Sequence, residues 1–442
     1  MANEAHYPIL NLDAIENLKL DWRFKGLPTS AMGIRLADIG ALHLNVLQEG
    51  LALPAALIKE SALEHNRRWM RNFVSAEGVD ICPHGKTTMA PQLFELQLQD
   101  GAWGITAATV SHVRTYRAHG IRRILLANQL VARHDIDYVL AEIDRDHDFD
   151  FFCLVDSTAG LECLANAVTA RKPRRPLQLL IEVGLKGGRT GVRTLDQGMA
   201  LARKIATQGP GLALRGIEAF EGIVHGKEHS DLETKVQILF SDMLTLAAQV
   251  ESQGLFAHGD VILTAGGSAF FDLAARCLKQ NTLARRAKVV LRSGCYLTHD
   301  SHHYRVYHER MRERCPTVAM HGTGLLAALE IVAYVQSIPE PGIAIASFGK
   351  RDASYDIALP TPLWRHRPGL HRRPECIQEQ CEVTALNDQH AYVSARSPNM
   401  HFAVGDILGF GISHPCTTFD KWPLLFVVDD EYRVVSAIRT FF

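Results

Sequence analysis

Asp80-Ile81-Cys82-Pro83-His84-Gly85-Lys86-Thr87-Thr88 is a short apolar run stopped by Pro-His-Gly, and a lysine follows just ahead of Ala90-Pro91, where a helix can begin. Read as strand, turn and helix, the stretch sets an amine at the mouth of a strand-to-helix turn. Taken alone, the nonapeptide also fits a solvated loop lysine. A Schiff-base lysine instead needs a partly desolvated pocket to be nucleophilic near neutral pH.

From this stretch onward, short apolar runs alternate with segments of helical period. The runs are Asp80 to Cys82, Trp103 to Ala107, Arg123 to Ala127, Phe151 to Val155, Leu177 to Val183, Leu214 to Phe220, Val261 to Ala265 and Val289 to Leu291. Helix candidates between them include Val110 to Ala118, His134 to Ile143, Leu195 to Ala206, Leu232 to Glu251 and Phe270 to Leu278. This βα rhythm over about 220 residues predicts an α/β fold, a closed (β/α)8 TIM-type barrel, although an open doubly wound sheet shares the signal. After about residue 320 the pattern turns to alternating, β-rich runs without long helices, which predicts a C-terminal all-β domain. The expected division is an amino-terminal extension over 1–50 of unassigned role, a barrel over 51–320 and a β domain over 321–442. Leu53 to Ile58 reads as a strand, with a helix from Ser61, and the Pro- and Arg-rich stretch Pro360 to Gly369 reads as an exposed loop.

The 442 residues are 47% hydrophobic and 21% charged with a formal net charge of -1, so there is no basic excess for nucleic acid or an anionic membrane. No apolar stretch approaches the length of a membrane span, and the start lacks a secretory pattern. Nine cysteines without a C-x-x-C pair indicate neither a disulfide framework nor a zinc ribbon, and they fit a reducing, cytoplasmic setting.

If the barrel is right, the carboxyl ends of its strands form the active face. Four segments fall there. Lys86 ends the first strand. Glu182-Val183-Gly184-Leu185-Lys186-Gly187-Gly188-Arg189-Thr190-Gly191 follows the fifth, where glycines allow close backbone approach and let Arg189 reach inward, unless it is merely a solvated connection. Gly266-Gly267-Ser268, after the seventh, offers backbone N–H groups and a hydroxyl at a helix start, the makings of a phosphate cradle. Arg292-Ser293-Gly294-Cys295-Tyr296 follows the eighth, and Arg292 and Tyr296 either point into the same mouth or are ordinary barrel-end residues. In the β domain, His414 and Cys416 share a face of an extended chain and suit zinc, with places left for water and substrate; a buried cysteine beside a hydrogen-bonded histidine is the plainer alternative. The cluster His299-Asp300-Ser301-His302-His303 has metal-like composition without a clear geometry and reads as loop.

Together these residues resemble the fold-type III, alanine-racemase-like pyridoxal phosphate enzymes, in the branch of D-serine dehydratases and D-threonine aldolases, over roughly residues 51 to 430. Pro83-His84-Gly85-Lys86-Thr87 is similar to the branch's Pro-His-x-Lys-Thr, which more often has alanine where Gly85 stands. Gly266-Gly267-Ser268 looks like its phosphate loop, Arg292 to Tyr296 like its Arg-Pro-Gly-x-Tyr segment with Ser293 for proline, and His414-Pro415-Cys416 like its metal pair. Cys416 tips the choice towards dehydratase, since the aldolases compared carry aspartate there. The resemblance implies that Lys86 holds pyridoxal 5'-phosphate, that Arg189 meets the ring's phenolic oxygen and Arg292 its nitrogen, and that Zn2+ or another divalent ion on His414 and Cys416 binds the β-hydroxyl of a D-amino acid. D-serine would give pyruvate and ammonia. D-threonine aldolase and a non-catalytic pyridoxal phosphate carrier are the alternatives, and the preferred substrate among serine, threonine and 3-hydroxyaspartate stays open. A homodimer is implied, with the metal pair acting in cis or in trans.

Overall fold

The computed structural model describes residues 10–224 and 229–442. Strand β1 covers Ala55–Lys59, and the eight runs read from the sequence form β2 (Asp80–Ile81), β3 (Ile105–Ala107), β4 (Arg123–Gln129), β5 (Asp150–Val155), β6 (Leu177–Val183), β7 (Leu212–Ala219), β8 (Val261–Ala265) and β9 (Ala287–Leu291). All pairings in this second set are parallel, in the order β2-β9-β8-β7-β6-β5-β4-β3. The two ends then meet, because Trp103 N donates to Ile81 O at 2.7 Å and Thr106 N to Pro83 O at 2.9 Å, so the sheet closes. A small core of Cys82, Leu125, Phe152, Leu154, Leu180, Ile262 and Val290 fills its inside, separate from the larger core under the helices. Those are the two apolar layers a closed barrel requires.

Local chemistry starts the helices on the outside. Thr109, Ser157 and Thr194 each accept a backbone N–H of the helix that follows, and Pro91 opens the helix after Lys86. In β7, Gly216 leaves no room for a Cβ, which would lie 1.9 Å from Ile262 O. Among the described residues no helix is long and apolar enough to cross a membrane.

The second sheet has ten strands. Its later members are β10 (Leu329–Glu340), β11 (Ile343–Ala346), β12 (Thr361–His366), β13 (Glu375–Cys376), β14 (Cys381–Leu386), β15 (Ala391–Ala395), β16 (Ile407–Gly411), β17 (Leu424–Val428) and β18 (Val434–Arg439). They run β13-β12-β16-β10-β1-β17-β18, with β11, β15 and β14 continuing from β10. Two expectations change here. The strand before the barrel, β1, lies at the centre of this sheet, antiparallel to β10 and parallel to β17, so the sheet pairing does not follow a division at residue 51. An apolar run buried on both faces fits either sheet, and its sequence carries no sign of which. The stretch expected as a loop is β12, whose Pro362, Trp364 and His366 point inward. Its proline sits at a register shift between Pro362 and Trp364, where the ladder tolerates a missing N–H.

Residues 40–46 are strapped to this sheet, while Leu10 and Asn11 bond to Glu95 and His119 beside the barrel. Val46 N donates to Tyr432 O at 3.0 Å, Val434 N to Leu44 O at 2.8 Å, and Gly40 lies so close to Val435 O that a Cβ would come within 2.3 Å.

Candidate active site

The carboxyl ends of the barrel strands bring the Lys86, Gly266 and Arg292 segments to one mouth. The Lys86 turn is a single 3-10 turn over Gly85–Thr87. A Cβ at Gly85 would lie 2.3 Å from Tyr116 Oη, so the buried tyrosine enforces the glycine that replaces the more usual alanine. Lys86 itself is exposed, and beside it His84 carries a buried Nδ1 without a hydrogen-bond partner among the described residues. Burial, and then the nearby Lys86 and Arg292 charges, hold the His84 imidazole well below its usual range, so it is neutral at physiological pH.

Under the mouth lies an acidic cluster that the sequence reading did not single out. Glu182, Glu218 and Glu221 are all buried, and Arg292 reaches Glu218 Oε1 at 2.5 Å while also donating to Ala219 O at 3.1 Å. Glu218 Oε2 has no partner among the described residues. Burial pushes the Glu218 carboxyl up to about 8 although Arg292 opposes it, and Glu182 and Glu221 add to the rise. Glu182 accepts from Thr190 Oγ1 at 2.6 Å and from Gln129, which anchors the glycine-rich loop over the mouth. Arg193 ties that loop further by donating to the carbonyls of Thr190, Gly191 and Gly188. The outcome for Arg189 is an exposed side chain with its guanidinium carbon 5.0 Å from the Phe220 ring centre. Acidic residues inside otherwise apolar strand runs were the available signal for Glu182 and Glu218.

The Gly266 turn differs from the cradle expected. Its Gly266 and Gly267 N–H groups donate to the Glu221 carboxylate, the first at 3.2 Å, so these donors are already committed to an anion. Burial raises the Glu221 carboxyl above its usual range. The next amides, of Ser268 and Ala269, meet no acceptor among the described residues and stand ahead of the helix Phe271–Leu278. That arrangement fits a phosphate one residue further along than the glycines alone suggest. Tyr296 does not face the mouth: it is buried with its hydroxyl on Gln97, beside Asp100 and Arg67, where burial raises its phenol strongly. The 3-10 turn Cys295–Leu297 swings it outward, which residue spacing could not reveal.

The β domain delivers its pair to the mouth of the same chain. Cys416 Sγ lies 3.4 Å from Thr87 Oγ1 and 3.6 Å from Cys295 Sγ. His414 Nδ1 meets Asp356 Oδ2 at 2.6 Å, and Asp356 in turn accepts from Thr417 Oγ1 at 2.8 Å. The Cys295 thiol, then His414 and Thr87, hold Cys416 well below the usual thiol range against the effect of burial, while Cys416 and burial push Cys295 up. Burial pulls His414 down, but Cys416 and Asp356 together bring it up to about 9. A thiolate and an imidazole whose other nitrogen is held by a carboxylate are a donor set suited to a divalent ion such as zinc.

Residues 58–285 match the family model "Alanine racemase, N-terminal domain", and residues 328–428 match "Putative serine dehydratase domain". The chain is 25% identical to the 3-hydroxy-D-aspartate aldolase of Paracoccus denitrificans over 325 residues, spanning 73% of this chain and 78% of that protein. The D-threonine aldolase of Filomicrobium marinum superposes with a TM-score of 0.71 at 18% identity, covering 90% of this chain and 97% of that one. The D-threo-3-hydroxyaspartate dehydratase of Delftia sp. HT23 superposes at 0.67 and 19%, covering 90% and 99%. A cysteine-to-alanine mutant of an enzyme of that name, solved in the metal-free form, gives the same values. By the span of the first match and the barrel it describes, this chain belongs to the alanine-racemase-like, fold-type III family of pyridoxal phosphate enzymes.

Proposed function

We propose that the protein is a pyridoxal 5'-phosphate- and metal-dependent D-amino acid lyase, a dehydratase that converts D-serine or a related 3-hydroxy D-amino acid to a 2-oxo acid and ammonia. One observation carries the reading. Cys416 stands against Thr87, next in the chain to Lys86, and His414 interacts with Cys416, so donors for a divalent ion come to the mouth that carries the amine. When bound, the cofactor ring supplies an electron sink for charge at Cα and the ion supplies a Lewis acid for a leaving hydroxide.

The chain's own groups do the rest. Lys86 holds the cofactor and its amine removes the Cα proton. The Ser268 and Ala269 amides and the Ser268 hydroxyl hold the phosphate, and Glu221 orders the turn that presents them. Arg189 would contact the ring's phenolic oxygen and the Arg292–Glu218 pair its nitrogen, with Glu218 offering the carboxyl oxygen that has no partner among the described residues. His414 and Cys416 hold the ion, zinc by the softness of a thiolate, and Asp356 keeps His414 in the tautomer that leaves Nε2 for it. The names of the relatives support a lyase but include aldolases, so retro-aldol cleavage of D-threonine is the second reading, and Cys416 favours the first. By the family resemblance the working unit is a homodimer, visible as twice the chain mass in light scattering.

The test is incubation of the metal-reconstituted protein with D-serine and with D-threonine, with a chelated control. Pyruvate or 2-oxobutyrate that disappears on chelation and in Cys416→Ala supports dehydration. Glycine with acetaldehyde establishes the aldolase instead, and cofactor-loaded protein without product from either substrate removes both.

A further inference from the structure

Cys295 occupies the variable position of the Arg292 to Tyr296 segment, and its place is rigidly set. A Cβ on the preceding Gly294 would lie 2.5 Å from His84 O, so this turn is pressed directly against the Lys86 turn. The side chain is buried, with the hydroxyls of Ser268, Tyr304 and Thr87 around its sulfur. Its Sγ is 3.6 Å from Cys416 Sγ. A disulfide needs about 2.05 Å. Two thiolates on one tetrahedral zinc, with Zn–S of about 2.3 Å, stand about 3.8 Å apart. The pair is therefore spaced as two ligands of one ion.

We propose that Cys295 is a third protein ligand of the ion held by His414 and Cys416, making a Cys2His centre with one place left for the substrate hydroxyl. The proposal rests on the metal reading above. His414 is already oriented for it, since Asp356 occupies Nδ1 and leaves Nε2 as the ligand nitrogen. The donors form a chain through Cys416 rather than a compact trio, so the ion closes the distance between His414 and Cys295 on binding. The compact trio among the described residues, Asp146, His147 and Asp148, lies just before β5, at the opposite end of the barrel from the mouth. A second thiolate makes the centre soft, so zinc, cobalt and cadmium are taken in preference to magnesium or manganese.

The experiment loads chelator-stripped protein with Co2+ and follows the near-ultraviolet thiolate-to-cobalt band, whose intensity scales with the number of thiolates. Expected are a two-thiolate intensity in the native protein, about half of it in Cys295→Ser and in Cys416→Ser, and at least a ten-fold weaker cobalt affinity in Cys295→Ser. An unchanged band and affinity in Cys295→Ser overturns the proposal while leaving the metal reading standing. A native protein that binds no cobalt overturns both. Zinc K-edge X-ray absorption on the native protein gives the same count without any variant: two sulfurs at about 2.3 Å support the centre and one sulfur overturns it.

Discussion

Two buried arginine–carboxylate pairs in this molecule are built to opposite specifications. Outside the barrel, Arg314 grips Asp272 through two parallel bonds of 2.7 and 2.8 Å and also reaches Glu233 at 2.5 Å, so both oxygens of the fully buried Asp272 are satisfied. At the mouth, Arg292 meets Glu218 at one oxygen, and the other is buried without a partner among the described residues. The first pair closes every bond it can make and serves the fold. The second keeps a carboxyl oxygen in reserve and holds its proton to about pH 8, a cost to stability that makes sense where a ligand is awaited.

The largest expected effect tests the mouth without touching the fold. Lys86→Ala should lower turnover by about 10⁴-fold, with the denaturant midpoint of the cofactor-free protein unchanged because the side chain is exposed. Asp272→Ala should do the reverse, costing about 3 kcal/mol of stability by leaving Arg314 short of its partner in the interior, while turnover per folded molecule stays near normal. A matching loss of midpoint in Lys86→Ala would erase the contrast.

Glu218→Gln sharpens it through pH. The carboxyl titrates near 4.5 when unfolded and at about 8 when folded, so between these values the native state keeps a proton that the unfolded chain has released. Stability from this group is thus full below pH 4.5 and declines as pH rises to 8, by at most roughly 1.4 kcal/mol per unit. Urea titrations across pH 5 to 8 should show that slope in the native protein and lose it in Glu218→Gln. The floor is set by Glu309→Gln, which breaks the exposed Arg305–Glu309 pair and should shift stability by no more than about 0.5 kcal/mol.

The barrel was legible because each strand is an apolar run bracketed by turns and three of the outer helices carry their own N-cap, at Thr109, Ser157 and Thr194, information local to ten or so residues. The order of the sites was legible for the same reason, since Lys86, the Gly266 turn and Arg292 all end strands. What escaped was set by partners distant in sequence. The Gly266 and Gly267 amides are claimed by Glu221, 45 and 46 positions earlier. Tyr296 turns away to Gln97, and Cys295 acquires its meaning only from Cys416, 121 positions on. Sequence spacing likewise did not reveal that Cys416 would lie against Thr87 of its own chain, 329 positions earlier.

The central position of β1 has a consequence for how the molecule comes into being. Leu57 pairs with Glu330 and, on its other side, with Phe426, 369 residues further along. At a synthesis rate of roughly 5–20 residues per second, the nascent strand waits about 20–70 s on the ribosome for that second neighbour. The barrel can close in the meantime, whereas a separately expressed piece beginning after residue 320 would lack the strand between β10 and β17. The segment that emerges early is enclosed late, and the sulfur-lined mouth is completed only once Cys416 has been made.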